Sequence, residues 1–352
     1  MEKGDSFQVL QPNNVNRKMY PRGVIGDGAT AVQSVRFDPQ DKYLAAGCED
    51  GSIKIFNAIN SKLVYTLNQK RLDKTADEEQ KRPSTCIRWR PAGNSARTKN
   101  VLISVHADGS IQHWHTTSGK SLHKLYSPQN QLYCADFAPD GRTFATAGRD
   151  LIVRMYDETT KQIVVEFQPG GAVSQGHSNR IFSVKYNPQD PNILISGGWD
   201  NTIQIWDRRE GSSVSALFGP HICGDALDIK DNIILAGSWR EKDQIQLFDL
   251  RTGEPQNPVD WDGGVGIKRS AEPCHVYAAQ FSKHDNGEMI LAGGNKSNEA
   301  RSFDTMNYNK PFAAVMDLPG PVFSVDFSYG GGLAALGCAD GFIRLLTISK
   351  TV

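Results

Sequence analysis

The stretch that decides the fold reads GHSNRIFSVKY (176–186), ILISGGWD (193–200) and IQIWD (203–207). It begins with a Gly-His pair and ends with a Trp-Asp pair. The three apolar runs alternate or are rich in β-branched residues, and turn-forming residues separate them, which is typical of short strands. The stretch therefore predicts a small sheet whose strands follow one another along the chain.

The last run of this stretch supplies a pattern that can be searched for elsewhere: an Asp, two further residues, and then an apolar, a variable, an apolar and an aromatic residue. Complete, or with a position changed, the pattern ends at residues 56, 114, 156, 206, 248, 303 and 346. The shortest spacing between these ends is 42 residues. Seven matches in phase indicate seven four-stranded units, with the extra length placed in loops.

The Gly-His and Trp-Asp pairs, with this period, resemble the repeat of the WD40 family. The resemblance implies an all-β fold: a single seven-bladed β-propeller of four-stranded antiparallel blades, over residues 32–350. The expected blades cover approximately residues 32–67, 85–126, 132–167, 177–218, 222–255, 276–316 and 321–348.

The two ends of the chain predict how the ring closes. The last repeat contains three strand-like runs and lacks a fourth, and propellers of this family commonly take the missing strand from the N-terminus. Closure of this kind removes two exposed sheet edges. We therefore expect the N-terminal segment, residues 1–31, to supply the strand, around Phe7–Leu10; the alternative is a disordered tail.

Two stretches interrupt the repeat and are interpreted as loop insertions. Residues 69–82 are strongly charged with both signs mixed, and residues 254–275 are rich in Gly and Pro and contain Trp261, Lys268 and Arg269. A solvated loop explains the first stretch, and an arm that binds a partner is the alternative.

Composition limits the classes of function. The 352 residues contain 39 basic and 39 acidic residues, so no overall charge draws the chain to nucleic acid or to a membrane surface. The six cysteines form no C-x-x-C pair, and neither a signal peptide nor a long apolar run is present. We expect an intracellular, cytoplasmic protein without membrane insertion; a cytoskeletal, ciliary or nuclear location stays open.

The resemblance also implies a buried hydrogen-bond network, of which blades two and three keep only fragments, while blades five and six lack its Asp. In blade four the matching residues are His177, Ser196, Asp200 and Trp206. An indole N–H is only a donor, a hydroxyl can accept from it and donate onward, and a carboxylate can hold the imidazole, so such a chain can be fully satisfied. A Ser-His-Asp hydrolase is the alternative, but Ser196 lies within a strand and lacks a nucleophile elbow.

No other catalytic, cofactor or metal motif stands out. His113 and His115 flank Trp114 on one strand and share a face, but no third ligand lies at a fixed local spacing, so structural histidines are the better interpretation. Phosphate-binding and metalloprotease motifs are missing. We therefore expect no enzyme activity, no cofactor, no metal and no small-molecule substrate.

The family places exposed binding residues near the start of each inner strand and before the turn Asp. Carried onto this chain, these positions are rich in aromatic residues and arginines, the residue types that dominate binding hot spots. The candidates are Tyr133, Arg149, Arg180, Phe182, Trp199, His275, Tyr277 and Phe323. The alternative is that some of the aromatics only cap the contacts between blades.

The function that follows is a non-enzymatic protein–protein interaction scaffold within a larger intracellular complex. One alternative is a recognition module for a short peptide on the aromatic face. Another is RNA or phosphoinositide binding through basic residues of the two insertions, which the balanced charge makes a weaker hypothesis. The residues do not select among the assemblies that use such propellers.

Overall fold

The computed structural model describes residues 7–12, 17–68, 82–91, 100–170, 176–263, 267–307 and 309–350. These residues form β-strands and one 3-10 turn, Thr116–Ser118, and contain no α-helix. The strands make seven antiparallel sheets, one for each blade of a propeller. The predicted all-β, seven-bladed fold is confirmed.

Two strands precede the blades, β1 (Val9–Leu10) and β2 (Arg17–Gly26). Blade one contains Val32–Phe37 (β3), Tyr43–Cys48 (β4), Ile53–Asn57 (β5) and Leu63–Leu67 (β6). Blade two contains Ser84–Trp89 (β7), Val101–His106 (β8), Ser110–His115 (β9) and Lys120–Tyr126 (β10). Blade three contains Leu132–Phe137 (β11), Thr143–Gly148 (β12), Val153–Asp157 (β13) and Ile163–Phe167 (β14).

Blade four contains Ile181–Tyr186 (β15), Ile193–Gly198 (β16), Thr202–Asp207 (β17) and Ser212–Phe218 (β18). Blade five contains Leu227–Lys230 (β19), Ile233–Gly237 (β20) and Ile245–Asp249 (β21). Blade six contains His275–Phe281 (β22), Met289–Asn295 (β23), Ala300–Asp304 (β24) and Lys310–Val315 (β25). Blade seven contains Val322–Phe327 (β26), Leu333–Cys338 (β27) and Phe342–Lys350 (β28).

The core lies between neighbouring blades. The second strands of blades one to three are buried at every residue, because other blades cover both of their faces. Between blades three and four, for example, Phe167 and Trp206 pack against Ile181 and Val184. The first strand of each blade contacts the first strand of the next, and β26 contacts β3, so the ring is closed.

An N-terminal strand closes the ring, as predicted, but its position differs from the prediction. The closing strand is β2, which pairs with β28 from Arg17↔Lys350 to Gly26↔Phe342. The predicted segment Phe7–Leu10 instead contributes β1, which adds to the outer edge of blade six through Val9↔Val315 and Leu10↔Ala314.

Length and local chemistry explain this correction. The nine-residue β28 needs a long partner, which the ten-residue β2 provides and the two-residue β1 does not. The strand β2 is hard to recognise in the sequence, because Pro21 and Gly23 are residue types that weaken a strand pattern. They lie at a register shift between Pro21 and Gly23 at the edge of the sheet, where a missing N–H is tolerated.

Blade five has three strands within the described residues. Only an isolated bridge, Phe248↔Pro255, lies where its outer strand would begin. The chain then leaves the sheet and packs on blade six, where the Trp261 indole donates to Glu299 Oε1 at 2.7 Å and Arg301 Nη1 donates to the Trp261 carbonyl at 2.7 Å. The described part of the 254–275 insertion is therefore anchored to the ring.

Candidate functional site

Blade four brings together the four residues of the expected hydrogen-bond network. His177 lies on the loop before β15, Ser196 on β16, Asp200 in the turn after β16, and Trp206 on β17. The Trp206 indole donates to Ser196 Oγ at 2.7 Å, and His177 Nε2 lies 2.7 Å from the same hydroxyl. His177 Nδ1 lies 2.7 Å from Asp200 Oδ2. The network ties a loop, two strands and a turn of one blade together.

The electrostatics of Asp200 fit a structural role. Burial favours the neutral acid, but hydrogen bonds from His177, the Ser178 backbone and Thr202 outweigh it, so the pKa of Asp200 lies below its ordinary value. Ser196 is completely buried. Its hydroxyl accepts a hydrogen bond from Trp206 and has no path to a substrate, which removes the geometric basis for a hydrolase centred on this serine.

Blade two contains a variant of this network. The Trp114 indole donates to Ser104 Oγ at 3.0 Å, and the imidazole comes from His106, whose Nε2 lies 2.9 Å from that hydroxyl. His106 belongs to the second strand rather than to the preceding loop, so a search for a Gly-His pair misses it. Burial lowers the pKa of His106 to about 4.

The histidines flanking Trp114 do not share a site. His113 is buried, with Nε2 3.1 Å from Glu158 of blade three, whereas His115 Nδ1 lies 2.7 Å from Ser118 Oγ. In the part of the chain that the structure describes, no group of three His, Cys, Asp or Glu side chains is arranged to hold a metal ion.

The central channel contains a layer of charged and polar side chains, one from the inner strand of each blade. Its members are Arg36, Arg88, Asp136, Lys185, Asp228, Gln280 and Asp326. Three of the carboxylates each accept the backbone N–H of the next blade: Asp136 from Tyr186 at 2.9 Å, Asp228 from Phe281 at 2.9 Å, and Asp326 from Phe37 at 2.7 Å. The layer borders a cavity of about 490 Å³.

Asp225, on the loop that enters blade five, reaches across this channel. Its carboxylate accepts two hydrogen bonds of 2.8 Å from Arg88 Nη2 and also pairs with Arg36. The same loop contains His221 and Cys223. One acidic side chain thus joins blade five to blades one and two.

The candidate binding residues owe their position to β-bulges. In six of the seven inner strands the pairing register shifts around the second or third residue, which leaves that residue unpaired. A bulge turns a side chain out of the regular strand direction. The bulged residues are Gln33, Thr85, Tyr133, Phe182, Tyr277 and Phe323.

Aromatic rings from blades three to six touch in sequence across this face. Tyr133 stacks on Phe182 with centroids 4.7 Å apart, and Phe182 stacks on Trp199 at 5.0 Å. Trp199 then faces His221 at 6.4 Å, and Trp239 follows at 6.4 Å. We call the set Tyr133, Phe182, Trp199, His221, Trp239 and His275 the aromatic arc.

His275 closes the arc but is not exposed as expected. It is 5 % exposed, because Trp239 packs edge-on against it with ring centroids 4.5 Å apart. Tyr277 and Phe323 form a further edge-to-face pair at 5.4 Å beside the arc. Trp199 remains 37 % exposed and is the most open ring of the arc.

Sequence reasoning missed two members of the arc, His221 and Trp239. The sequence-based candidates include no residue of blade five, because its short inner strand β19 lacks the usual pattern, and β19 also pairs without a register shift. A signal was present for Trp239: Gly237-Ser238-Trp239-Arg240 parallels Gly197-Gly198-Trp199-Asp200 in blade four. His221 has no comparable signal.

Three arginines border the arc. The Arg180 guanidinium lies 5.2 Å from the centre of the Trp199 ring, in a cation–π contact. Burial raises the pKa of the Tyr133 hydroxyl, and the positive charges of Arg180 and Arg149 partly offset that increase. Arg240 donates a hydrogen bond to Asn201 at 3.1 Å. Burial lowers the pKa of His221, and the positive charge of Arg240 lowers it further.

The basic residues of the two insertions are the alternative binding site that the sequence suggests. Residues 69–81 lie outside the described residues. In the second insertion Arg269 faces Asp262 at 3.5 Å, and the buried Arg301 and Glu299 beneath it pair at 3.2 Å. Each of these cations is therefore matched by a carboxylate.

Comparison with known proteins fits the fold. The family profile "WD domain, G-beta repeat" matches residues 119–157 and 171–207, and that of the anaphase-promoting complex subunit 4 WD40 domain matches residues 23–92. The seven blades, the network and these matches define a repeat propeller. The chain contains WD40 repeats and is similar to WD40-repeat β-propellers.

Several curated proteins are similar to this chain. A periodic tryptophan protein 2 homolog of Dictyostelium discoideum is 25% identical over 280 residues, which cover 75% of this chain and 27% of that protein. The serine-threonine kinase receptor-associated protein of Gallus gallus is 26% identical, covering 75% and 68% respectively. A guanine nucleotide-binding protein subunit beta of Arabidopsis thaliana is 25% identical, covering 78% and 68%. The chain thus spans about a quarter of the first relative's length.

No helix among the described residues is long and apolar enough to cross a bilayer.

Proposed function

We propose that this chain is a non-enzymatic scaffold that holds partner proteins in a larger intracellular assembly, and that partners dock on the aromatic arc. The observation that carries the proposal is the contact of Tyr133, Phe182 and Trp199 across two blades, with the Trp199 ring partly open to solvent. Aromatic and arginine side chains held in this way are typical hot-spot residues.

The names of the relatives support the same class of function. One is a receptor-associated protein and another is a subunit of a guanine nucleotide-binding protein. Both names describe proteins that work with partners. Since identity is near 25%, they support the class of role and select no particular partner.

A short peptide recognised within a partner is a specific version of this function. The bulged residues form a row across neighbouring blades rather than one isolated pocket. A row of ring edges suits an extended segment, whose alternate side chains can contact successive blades.

The test is a quantitative pull-down from native lysate with the full chain. The Phe182→Ala, Trp199→Ala double variant removes the two rings at the centre of the arc. The control is the Tyr126→Ala, Phe218→Ala double variant, which removes two exposed aromatics from outer strands. Both variants must retain the wild-type melting temperature.

We expect specific partners to be lost from the arc variant and retained by the control. Retention of every partner by the arc variant would show that the rings only cap the blades. Equal losses from both variants would indicate non-specific hydrophobic capture instead of docking.

A further inference from the structure

We infer that the arc binds an acidic peptide segment that carries a large apolar side chain. The inference rests on the proposed function and adds the chemistry of the partner. Three observations support it. Arginines beside the arc have no carboxylate partner among the described residues, the flat faces of the arc's rings are covered by neighbouring rings, and the Trp199 ring already contacts the Arg180 guanidinium.

Three arginines around the arc have no carboxylate partner among the residues that the structure describes. Arg149, Arg180 and Arg240 have no carboxylate within ion-pair distance in the described ranges. Arg149 and Arg240 are exposed, and Arg180 is half-buried against Trp199. Elsewhere arginines such as Arg88, Arg154 and Arg344 are each paired with an Asp. The arc therefore presents free positive charge on a chain whose formal net charge is zero.

The acidic residues that directly follow Arg149, Trp199 and Arg240 in the chain are already engaged. Asp150 pairs with Arg154 at 2.5 Å, Asp200 holds His177, and Glu241 pairs with Lys296 at 3.2 Å. Each of these carboxylates already has a cationic or imidazole partner, so none of them stands ready as the counter-ion of the three arginines. A ligand that brings its own carboxylates gains three charge-assisted contacts with arginine.

A cationic ligand is disfavoured by the same geometry. The Trp199 ring, which would be the natural platform for a lysine or methylated lysine side chain, already carries the Arg180 guanidinium at 5.2 Å. A second cation there would meet like charge. An aromatic cage for a modified basic tail is therefore a poor fit.

The ring faces also distinguish a peptide from a nucleic acid. Phe182 lies between Tyr133 and Trp199, and Trp199 lies between Phe182 and His221. Stacking of bases needs open ring faces. The arc instead presents ring edges, which pack against an apolar side chain. An acidic peptide with one apolar anchor satisfies both the edges and the arginines.

The experiment selects random peptides displayed on phage against the full chain. Binding of the selected peptides is then measured by fluorescence anisotropy at low and high salt, with a poly-uridine oligonucleotide as the nucleic acid probe. The charge variant is Arg149→Glu, Arg180→Glu, Arg240→Glu. Its control, Arg142→Glu, Arg208→Glu, Arg251→Glu, makes the same change in net charge at exposed arginines away from the arc.

We expect the selected peptides to be acidic and to carry a large apolar residue. Their affinity should fall about tenfold or more in the charge variant, whereas the control variant should bind them as the wild type does. High salt should also lower their affinity for the wild type about tenfold or more. Neutral or basic peptides that depend on Phe182 and Trp199 would overturn the inference and leave docking on the arc intact. Tighter, arc-dependent binding of the oligonucleotide would overturn it in favour of nucleic acid. If no peptide depends on Phe182 and Trp199, both proposals fail.

Discussion

Tyr133 lies flat against Phe182, with ring centroids 4.7 Å apart and an angle of 6° between the planes. Each is the bulged residue of its own inner strand, Tyr133 in blade three and Phe182 in blade four. One bulge would turn out a single ring, whereas the same irregularity repeated in neighbouring blades places two rings in register. The geometry of this pair is therefore set by backbone features of two sheets, and these two rings need no loop to position them.

The network of blade four predicts a large effect of one small substitution. In Ser196→Ala the Trp206 indole and the His177 imidazole both lose a buried hydrogen-bond partner. We expect the free energy of unfolding to fall by about 2–4 kcal/mol, measured by urea denaturation. Ser215→Ala, on an exposed position of β18, should change it by less than about 0.5 kcal/mol. Equal midpoints for the two variants would contradict the role of the network.

The channel predicts that Asp225 stabilises the ring. Asp225→Asn leaves Arg36 and Arg88 buried with one carboxylate fewer. Removing one partner of a buried ion pair costs about 3–5 kcal/mol, so thermal unfolding should begin at a clearly lower temperature. The matched control is Asp140→Asn in an exposed turn, where the amide can keep the backbone hydrogen bond. A melting temperature equal to that of the control would show that the channel ion pairs contribute little.

His106 predicts acid sensitivity. The folded imidazole has a pKa of about 4, while the unfolded chain has the ordinary value of about 6.5. Between these values the unfolded chain binds more protons, so stability falls as the pH is lowered from about 6.5 to 4. At pH 5 the loss from this group is about 2 kcal/mol relative to pH 7.

Urea unfolding at the two pH values checks this prediction. The His106→Gln variant lacks the titrating group and should lose less stability on acidification than the wild type. Parallel pH dependence in the wild type and His106→Gln would assign the acid sensitivity to other groups.

The two N-terminal strands predict different outcomes of truncation. Removing residues 1–11 deletes β1, which pairs through two residues at the edge of blade six, and should lower the melting temperature by only a few degrees. Removing residues 1–26 also deletes β2 and exposes the full edge of β28. An exposed long strand edge promotes aggregation, so size-exclusion chromatography should show loss of the monomer. A stable monomer without β2 would contradict the assignment of the closing strand.

The repeat made the fold predictable because the pattern depends on residues that face inward in every blade. The Asp at the turn recurs in five blades and the aromatic residue at the end of the third strand in six, so a weak signal is repeated around the ring. The network of His177, Ser196, Asp200 and Trp206 was accessible for the same reason, since its geometry belongs to a single blade.

What the sequence concealed depends on contacts between distant segments. The closing strand contains Pro21 and Gly23, and only its pairing with β28 makes a strand of it. His221 joins the arc because an irregular loop lies against blade four, and Asp225 matters because it crosses the channel. None of these contacts produces a repeating pattern in the sequence from which it could be predicted.

The pairing of β2 with β28 has a consequence for synthesis on the ribosome. The strand β2 must wait for β28, which is translated only after all the intervening blades, a delay on the order of tens of seconds. During that interval six blades can form while the seventh is incomplete and the annulus is open. Arg17–Gly26 must then remain unpaired, or be shielded by a chaperone, until its partner leaves the exit tunnel. The ring can therefore close only after Phe342–Lys350 has been translated, so a chain that stops earlier cannot form the closed propeller.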